Sequence, residues 1–348
     1  MRNVSPDDIK RWAKRTAITV SATVIVVAVA TVWLWRDRAT LDAIDWPPYP
    51  YIAPSLDAVT MTWLGVTTLL FDDGETQILI DGFFSRPSIW DVLRGRPVKS
   101  DAATINYVLD EYRMRRLAAI IPAHSHFDHA MDIGAIANRS SASILGSASS
   151  ANVARGAGVP EDQIVVAENG ADYSFGLFTV KMIEIPHAPV GWGGSVPLAG
   201  TIDEPLETPA PISAWRAGRS YAIVISHPHG TTIVNATAGY LDNALSGIQA
   251  DVVLMGVALL EGLGRDYAEA YWQALVTTTG AAHVIPFHFD DYTQPFGEIR
   301  LYPRVFDNFI DTATWLEEIG SRWDQDTGLH LPEFGKAIVL YPRAAPEA

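Results

Sequence analysis

Three imidazoles and a carboxylate fall within residues 124–129, in the stretch Pro122-Ala123-His124-Ser125-His126-Phe127-Asp128-His129. In an extended segment, side chains two apart point the same way, so His124 and His126 can converge on one ion. Asp128 and His129 come next. Where the chain turns into a helix, they can face a second point nearby. Imidazole and carboxylate are ligands suited to zinc or a similar first-row cation. The competing reading is a helix start, because Ser125-x-x-Asp128 loosely resembles a capping box with Asp128 as N-cap. Four such groups at one strand end would have few partners without a cation, which favours a metal site.

The elements around this cluster follow from hydrophobic pattern. LAAIIPA (117–123) is a short apolar run, as expected of a strand buried on both faces. A helix is expected over 102–116 before it and over about 128–138 after it. AVTMTWLGVTTLLF reads as one strand, DDGET as a turn and QILIDGFF as a second strand. Further on, SILGS, FTVKMIEIP, DVVLMGV, AAHVIPF and KAIVLYP read as strands, with helices at SSANVARGAG, 266–278 and 305–319. SYAIVIS and TTIVNA make a hairpin around His227-Pro228-His229-Gly230. These two histidines are expected to face solvent. His283, five residues before His288, falls on the opposite strand face from it, and His330 sits in a late loop. Residues 188–219 form a long Pro/Gly-rich stretch, either a substrate-covering loop or a surface insertion. Alternating strands and helices with hairpins fit a layered α/β domain with mixed sheets.

Composition narrows the classes. The 348-residue chain has no cysteine, which removes disulfide scaffolds, thiolate metal sites and cysteine nucleophiles. A hydrophobic content of 48% excludes a disordered chain. The net charge of −15 argues against a phosphate-backbone binder, so no nucleic-acid partner is expected.

Residues 16–35 carry no charge and no proline, about the length that spans a bilayer core. Lys10, Arg11, Lys14 and Arg15 precede them, and Trp33 and Trp35 stand at the far end. The expected organisation is a cytoplasmic tail (1–15), a transmembrane anchor (16–35), a linker (36–57) and a folded domain (58–348). Basic residues before the span place the domain outside the cytoplasm, in the periplasm if the source is bacterial. The alternative is a cleaved signal peptide, because Ala28-Val29-Ala30 resembles a cleavage site. The apolar run continues past it, which favours the anchor.

The H-x-H-x-D-H pattern of 124–129 resembles the metallo-β-lactamase fold superfamily, over roughly residues 58–345. The resemblance implies a four-layer αββα sandwich of two mixed sheets, here preceded by one transmembrane helix. It assigns His124, His126 and His187 to one metal, and Asp128, His129 and His288 to a second. It makes Asp81 a support for the metal loop. Alignment on Gly239-Tyr240 puts Thr237 where the family has a bridging aspartate. A neutral hydroxyl is a weaker ligand, so one ion or an unequal pair is expected. Val66 replaces the histidine of the family's Trp-Leu-Gly-His start. The start and the Ile-Pro-Phe-His ending look most like the branch with lactonase-like and N-acylphosphatidylethanolamine phospholipase D-like proteins.

The expected cofactor is therefore Zn2+, one or two ions, with Mn2+ or Fe2+ as alternatives. A cation held by neutral imidazoles lowers the pKa of bound water to about 7. The expected chemistry is hydrolysis of an ester, lactone or phosphodiester by metal-bound hydroxide, with Asp128 as the catalytic residue that orients the water or shuttles its proton. The substrate is a small molecule or a lipid, and β-lactams are not favoured. Tyr292 could donate to a leaving group, although ordinary packing explains it equally well. The alternative is a metal-binding scaffold of the same fold with weak or no turnover. Oligomeric state is not legible in the sequence.

Overall fold

The structure, a computed structural model, describes residues 5–51, 53 and 58–341. Helix α1 (Pro6–Arg36) contains the whole apolar run. From Lys10 to Arg36 it is long and apolar enough to cross a membrane, and its apolar window is not buried against the protein. A signal sequence shares those properties.

Strands β1 (Thr60–Trp63), β2 (Leu69–Asp72) and β3 (Gln77–Ile80) form an antiparallel meander. The segment expected as one strand over 58–71 is thus two strands. The backbone reverses at Gly65 (φ 84°) and Val66 (φ 49°). Val66 is held in this left-handed conformation because its N–H donates to both carboxylate oxygens of Asp290, at 2.8 and 3.0 Å.

Helix α2 (Ile89–Arg94), the short β4 (Pro97–Val98) and helix α3 (Ala102–Glu111) follow. The helix expected over 102–116 stops early, since Arg113 turns left-handed (φ 49°) ahead of the next strand. Strand β5 (Leu117–Ile121) leads into α4 (Phe127–Ala130) and α5 (Ile133–Ser140), two helices where one was expected over 128–138. At the break, the Asp132 carboxylate accepts from the Phe84 and Ser85 N–H groups and the Ser85 hydroxyl. Then come β6 (Ser143–Gly146), α6 (Ala148–Gly156) and β7 (Ile164–Val166).

The second half contains β8 (Asp172–Phe175), β9 (Phe178–Ile185), β10 (Ala210–Pro211), β11 (Ser220–His227), β12 (Gly230–Asn235) and β13 (Val252–Gly256). Helices α7 (Leu260–Leu263) and α8 (Arg265–Trp272) precede β14 (His283–Phe287). Helix α9 (Phe309–Trp323), β15 (Gly328–Leu329) and β16 (Ala337–Val339) complete the chain. The late helix starts at Phe309 rather than 305, because Pro303 opens a turn whose carbonyl accepts from Phe306 and Asp307.

Two seven-stranded mixed sheets result, ordered β16-β1-β2-β3-β5-β6-β7 and β15-β14-β13-β12-β11-β9-β8. Strand periodicity explains their burial. Ile78, Ile80, Ala119 and Ile121 face the core between the sheets, while Leu79 and Ile120 face the helices on the outer side. Ile105, Val108, Ile133 and Ile136 of α3 and α5 cover that side. Tyr271, Trp272, Leu316 and Ile319 of α8 and α9 pack with the second sheet. The layers run helix, sheet, sheet, helix: an αββα sandwich.

Strand direction then places the chemistry. β3 and β5 are parallel, with Ile80 beside Ile121, so Asp81 and the segment 122–129 leave the sheet side by side. β9 and β12 both run antiparallel to β11, and β12, β13 and β14 are parallel. His187, Thr237 and His288 therefore emerge along the corresponding edge of the second sheet.

The segment after α1 lies along the domain. Arg38 bridges to Pro303, and its guanidinium binds Asp291 (2.8 Å) and the Leu301 carbonyl (2.6 Å). Leu41, Ile44, Trp46 and Tyr49 pack on the core. The Tyr49 hydroxyl donates to the Leu340 carbonyl at 2.7 Å.

Candidate metal centre

His124 lies in a bend three residues past the end of β5, and His126 (φ −62°, ψ 156°) occupies the N-cap position of α4, so Asp128 and His129 fall in its first turn. The capping-box alternative is not realised, since no side chain caps this helix and Asp128 lies inside it. His187 follows β9 and His288 follows β14. Two triads form: His124, His126 and His187 in one, Asp128, His129 and His288 in the other, with the ligand-type atoms of each within 4.8 Å of one another. All six residues expected from the sequence are thus brought together.

Hydrogen bonds on the far side of the rings identify their tautomers. His126 Nε2 lies 2.9 Å from the Pro197 carbonyl, and His187 Nδ1 lies 2.8 Å from the Ala188 carbonyl. A carbonyl only accepts, so these nitrogens carry the protons and the other two present lone pairs. His129 Nδ1 faces Asp81 Oδ2 at 2.8 Å and Thr67 Oγ1 at 3.1 Å, leaving Nε2 free. That Nε2 and His288 Nε2 each lie 3.6 Å from Asp128 Oδ2. His124 Nε2 and His126 Nδ1 are 2.8 Å apart, within hydrogen-bond distance of each other. Among the described residues, the Nδ1 atoms of His124 and His288 are buried without a hydrogen-bond partner. Converging lone pairs with protons locked on the opposite ring nitrogens are the pattern of imidazoles that hold a cation. The donor set fits one.

Electrostatics agree. Burial, helped by the neighbouring imidazoles, pushes His124 and His129 well below the usual histidine value, and His126 and His288 down to about 3. Neutral imidazole is the ligating form. Burial pushes Asp128 up to about 6. Two buried carboxylates and five neutral rings make a site that favours added positive charge.

Asp81 sits where its support role was expected. It is fully buried with φ 56°, and its Oδ1 accepts from the Ala123 N–H at 2.7 Å. Thr237 lies at the pocket wall. Its hydroxyl lies 3.2 Å from the Gly239 N–H, which donates to it, and 3.4 Å from Asn235 Oδ1. The Asn235 amide donates to the Gly239 carbonyl at 2.7 Å, closing the turn. Gly239 is required there, because a Cβ would collide with the Pro186 carbonyl beside His187.

Several contributors were missed in the sequence. The Val66 carbonyl accepts from the His288 N–H (3.2 Å) and from Trp63 Nε1 (3.0 Å), so backbone performs the positioning at this substituted site. Thr67, Asp290 and Pro197 act through hydrogen bonds that no motif marks. The remaining histidines lie elsewhere. His227 is buried, not solvent-facing, 3.6 Å from Asp73 Oδ2 and packed on the Phe178 ring. His283 pairs with His330 (3.0 Å) at the opposite end of β14 from His288.

A cavity of about 250 Å³ opens over the triads. Its walls are mostly apolar, including Phe127, Val190, Leu198, Ile212, Tyr292 and Phe306. Val190, Pro197, Leu198 and Ile212 come from the 188–219 stretch, so that stretch forms part of the pocket wall.

No family model matches the chain. A UPF0173 metal-dependent hydrolase of Heliobacterium modesticaldum is 29% identical over 116 residues, covering 33% of this chain. The chain spans 41% of that relative's length. Among solved structures, the metallo-beta-lactamase fold protein YhfI from Bacillus subtilis aligns with a TM-score of 0.47 at 14% identity, over 81% of this chain and 98% of that one. A possible metal-dependent hydrolase from Veillonella parvula aligns at 0.50 and 16%, over 81% and 100%. CmlA, a diiron beta-hydroxylase from Streptomyces venezuelae, aligns at 0.51 and 12%, over 83% and 55%. The chain has the metallo-β-lactamase fold, and the proteins similar to it include named metal-dependent hydrolases.

Proposed function

We propose that the protein is a metal-dependent hydrolase that cleaves an ester, lactone or phosphodiester outside the cytoplasm, with His124, His126, His187, Asp128, His129 and His288 as metal ligands. The observation that carries this reading is the convergence of two ligand triads in which His126, His129 and His187 each have one ring nitrogen held by an acceptor, leaving the other free to ligate. A bound zinc, manganese or ferrous ion would supply Lewis-acid chemistry there, activating water and polarising a carbonyl or phosphoryl oxygen. Asp128 Oδ2, between His129 and His288, is placed to orient the attacking water and take its proton. The apolar walls suit the hydrocarbon part of a small molecule or lipid, and the 188–219 segment contributes Val190, Pro197, Leu198 and Ile212 to them. The Tyr292 ring stacks edge-on against Phe127 and Tyr302, a packing role that fits its surroundings.

Thr237 favours a second reading, a metal-binding scaffold with weak or no turnover, because the position expected to bridge two ions carries a neutral hydroxyl engaged in its own turn. One experiment separates the two. The purified full chain is loaded with zinc, manganese or ferrous ion. Its metal content is measured, and it is assayed on a p-nitrophenyl ester, a lactone and bis(p-nitrophenyl) phosphate. The hydrolase reading expects metal-dependent turnover that His124→Ala abolishes. Full metal loading with no turnover on any substrate, and a His124→Ala variant changed only in stability, supports the scaffold.

A further inference from the structure

The segment 37–49 ties α1 to one end of the domain, and that end is the one where the pocket opens. The Arg304 N–H donates to the Asp37 carbonyl at 2.9 Å, and the Arg304 side chain lies 3.8 Å from the Asp37 carboxylate. Arg38 adds its bonds to Asp291 and Leu301 one residue later. The segment then runs back along the domain. His330 Nδ1 donates to the Pro47 carbonyl at 3.0 Å, and the Tyr49 ring packs 5.0 Å from His283. His283 begins β14 and Asp291 lies just past its end, so the strap is held at both ends of that strand. A domain held this way does not swivel about a free linker.

Directly after Arg304 come Val305 and Phe306, 62% and 52% exposed. Phe306 also lines the pocket, and among the described lining residues it alone is exposed. An apolar span of 20 residues is about 30 Å long, the thickness of a bilayer core. With residues 16–35 in that core, Arg36 and Asp37 stand at headgroup depth. Val305 is one residue from the Arg304–Asp37 contact, and consecutive Cα atoms are about 3.8 Å apart. Val305 and Phe306 therefore lie within roughly 10 Å of the point where α1 leaves the bilayer, comparable to the headgroup layer itself.

We propose that Val305 and Phe306 form a lip that docks into the surface of the same bilayer α1 spans, so that the pocket mouth faces lipid. This rests on the anchor reading of residues 16–35. Exposed aromatic and aliphatic side chains beside an arginine are the residue types that settle at a headgroup boundary.

The absence of native cysteine makes the test direct. Val305→Cys and, as a control, Leu177→Cys are each labelled with a nitroxide in the full chain and reconstituted in phosphatidylcholine/phosphatidylglycerol vesicles. Leu177 is 58% exposed in the β8–β9 turn, at the opposite edge from His187. The expected result is several-fold lower collision with a water-soluble nickel chelate at 305 than at 177, together with higher collision with oxygen. Oxygen concentrates in lipid, so this pairing separates lipid burial from steric shielding. If the chain floats with the vesicles but both labels behave as water-exposed, the docking lip is overturned and the anchor stands. If the chain does not float, the anchor reading falls and the lip with it.

Discussion

Asp81 accepts from His129 Nδ1 at 2.8 Å through one carboxylate oxygen and from the Ala123 N–H at 2.7 Å through the other. One side chain thus fixes both the tautomer of a metal-triad histidine and the backbone from which the His124–His129 segment departs. Burial pushes its pKa well above the usual aspartate value, and the Thr67 and Ala123 donors oppose that push. Asp81→Asn tests this as a positioning role. Asparagine tolerates the left-handed backbone (φ 56°), so strain is not introduced. One of its two terminal atoms becomes a donor facing another donor. The expected outcome is metal affinity reduced about 10–100-fold, read by chelator competition, with the melting profile of the metal-free protein largely retained. Unchanged metal affinity removes Asp81 from the site.

Asp128→Asn keeps the size of the side chain and removes its ability to take a proton. Turnover is expected to fall about 10²–10⁴-fold, with KM changed much less. Steady-state kinetics at saturating metal check this, and a variant with wild-type kcat rules Asp128 out as the proton acceptor.

Thr237→Asp adds a carboxylate at the pocket wall near both triads. A second dication is expected to bind at least about fivefold more tightly, since one added negative charge at short range contributes on the order of 1–4 kcal/mol. Isothermal titration with zinc, with metal-to-protein ratios measured alongside, reports the change. If stoichiometry and affinities match the parent, position 237 does not face the ions.

Asp307 lies outside both triads, buried beside the pocket. Its Oδ2 accepts from the Leu259 N–H at 3.0 Å, and its Oδ1 is buried with no hydrogen-bond partner among the described residues. Burial pushes its pKa up to about 7. A carboxyl raised in the folded state contributes stability below its unfolded value of about 4, and that contribution is lost as pH rises through about 7. Asp307→Asn keeps the acceptor and cannot ionise. It is expected to melt several degrees above the parent at pH 8, with the gap narrowing below pH 7 and closing near pH 4. A gap independent of pH contradicts the assignment.

Arg38→Ala tests the strap. Asp291 keeps its bonds to Thr293 and Gln294 but loses its buried ionic partner. The domain is expected to lose about 1–3 kcal/mol in urea unfolding. No loss would mean that the 38–49 segment contributes nothing to the folded domain.

What the sequence determined by itself was local chemistry and layer type. The compact His124–His129 pattern marks a candidate cation site, because so many ligand-type groups in six residues have no common structural use. The apolar run 117–123 reads as a strand buried on both faces because it is continuous, apolar and too short for a core helix. The helix α1 is likewise legible, since length and apolarity are properties of the segment alone. His187 and His288 are different. Each is a lone histidine after a strand, and only resemblance to a known pattern singled it out before the fold brought it to the cluster.

The tertiary structure decided everything that depends on a distant partner. The β1–β2 reversal at Val66 was invisible because a left-handed valine is unfavourable until Asp290, 224 residues away, binds its N–H. The docking of 38–49 was equally hidden. A Pro-rich segment carries no periodicity, and what orders it is a set of acceptors and rings from residues 283–340. The tautomers of His126, His129 and His187 follow from Pro197, Asp81 and Ala188, of which only the last is a chain neighbour. A sequence displays ligand types and their spacing. Which nitrogen holds the proton is set by hydrogen bonds that the folded chain supplies, two of the three from residues distant in sequence.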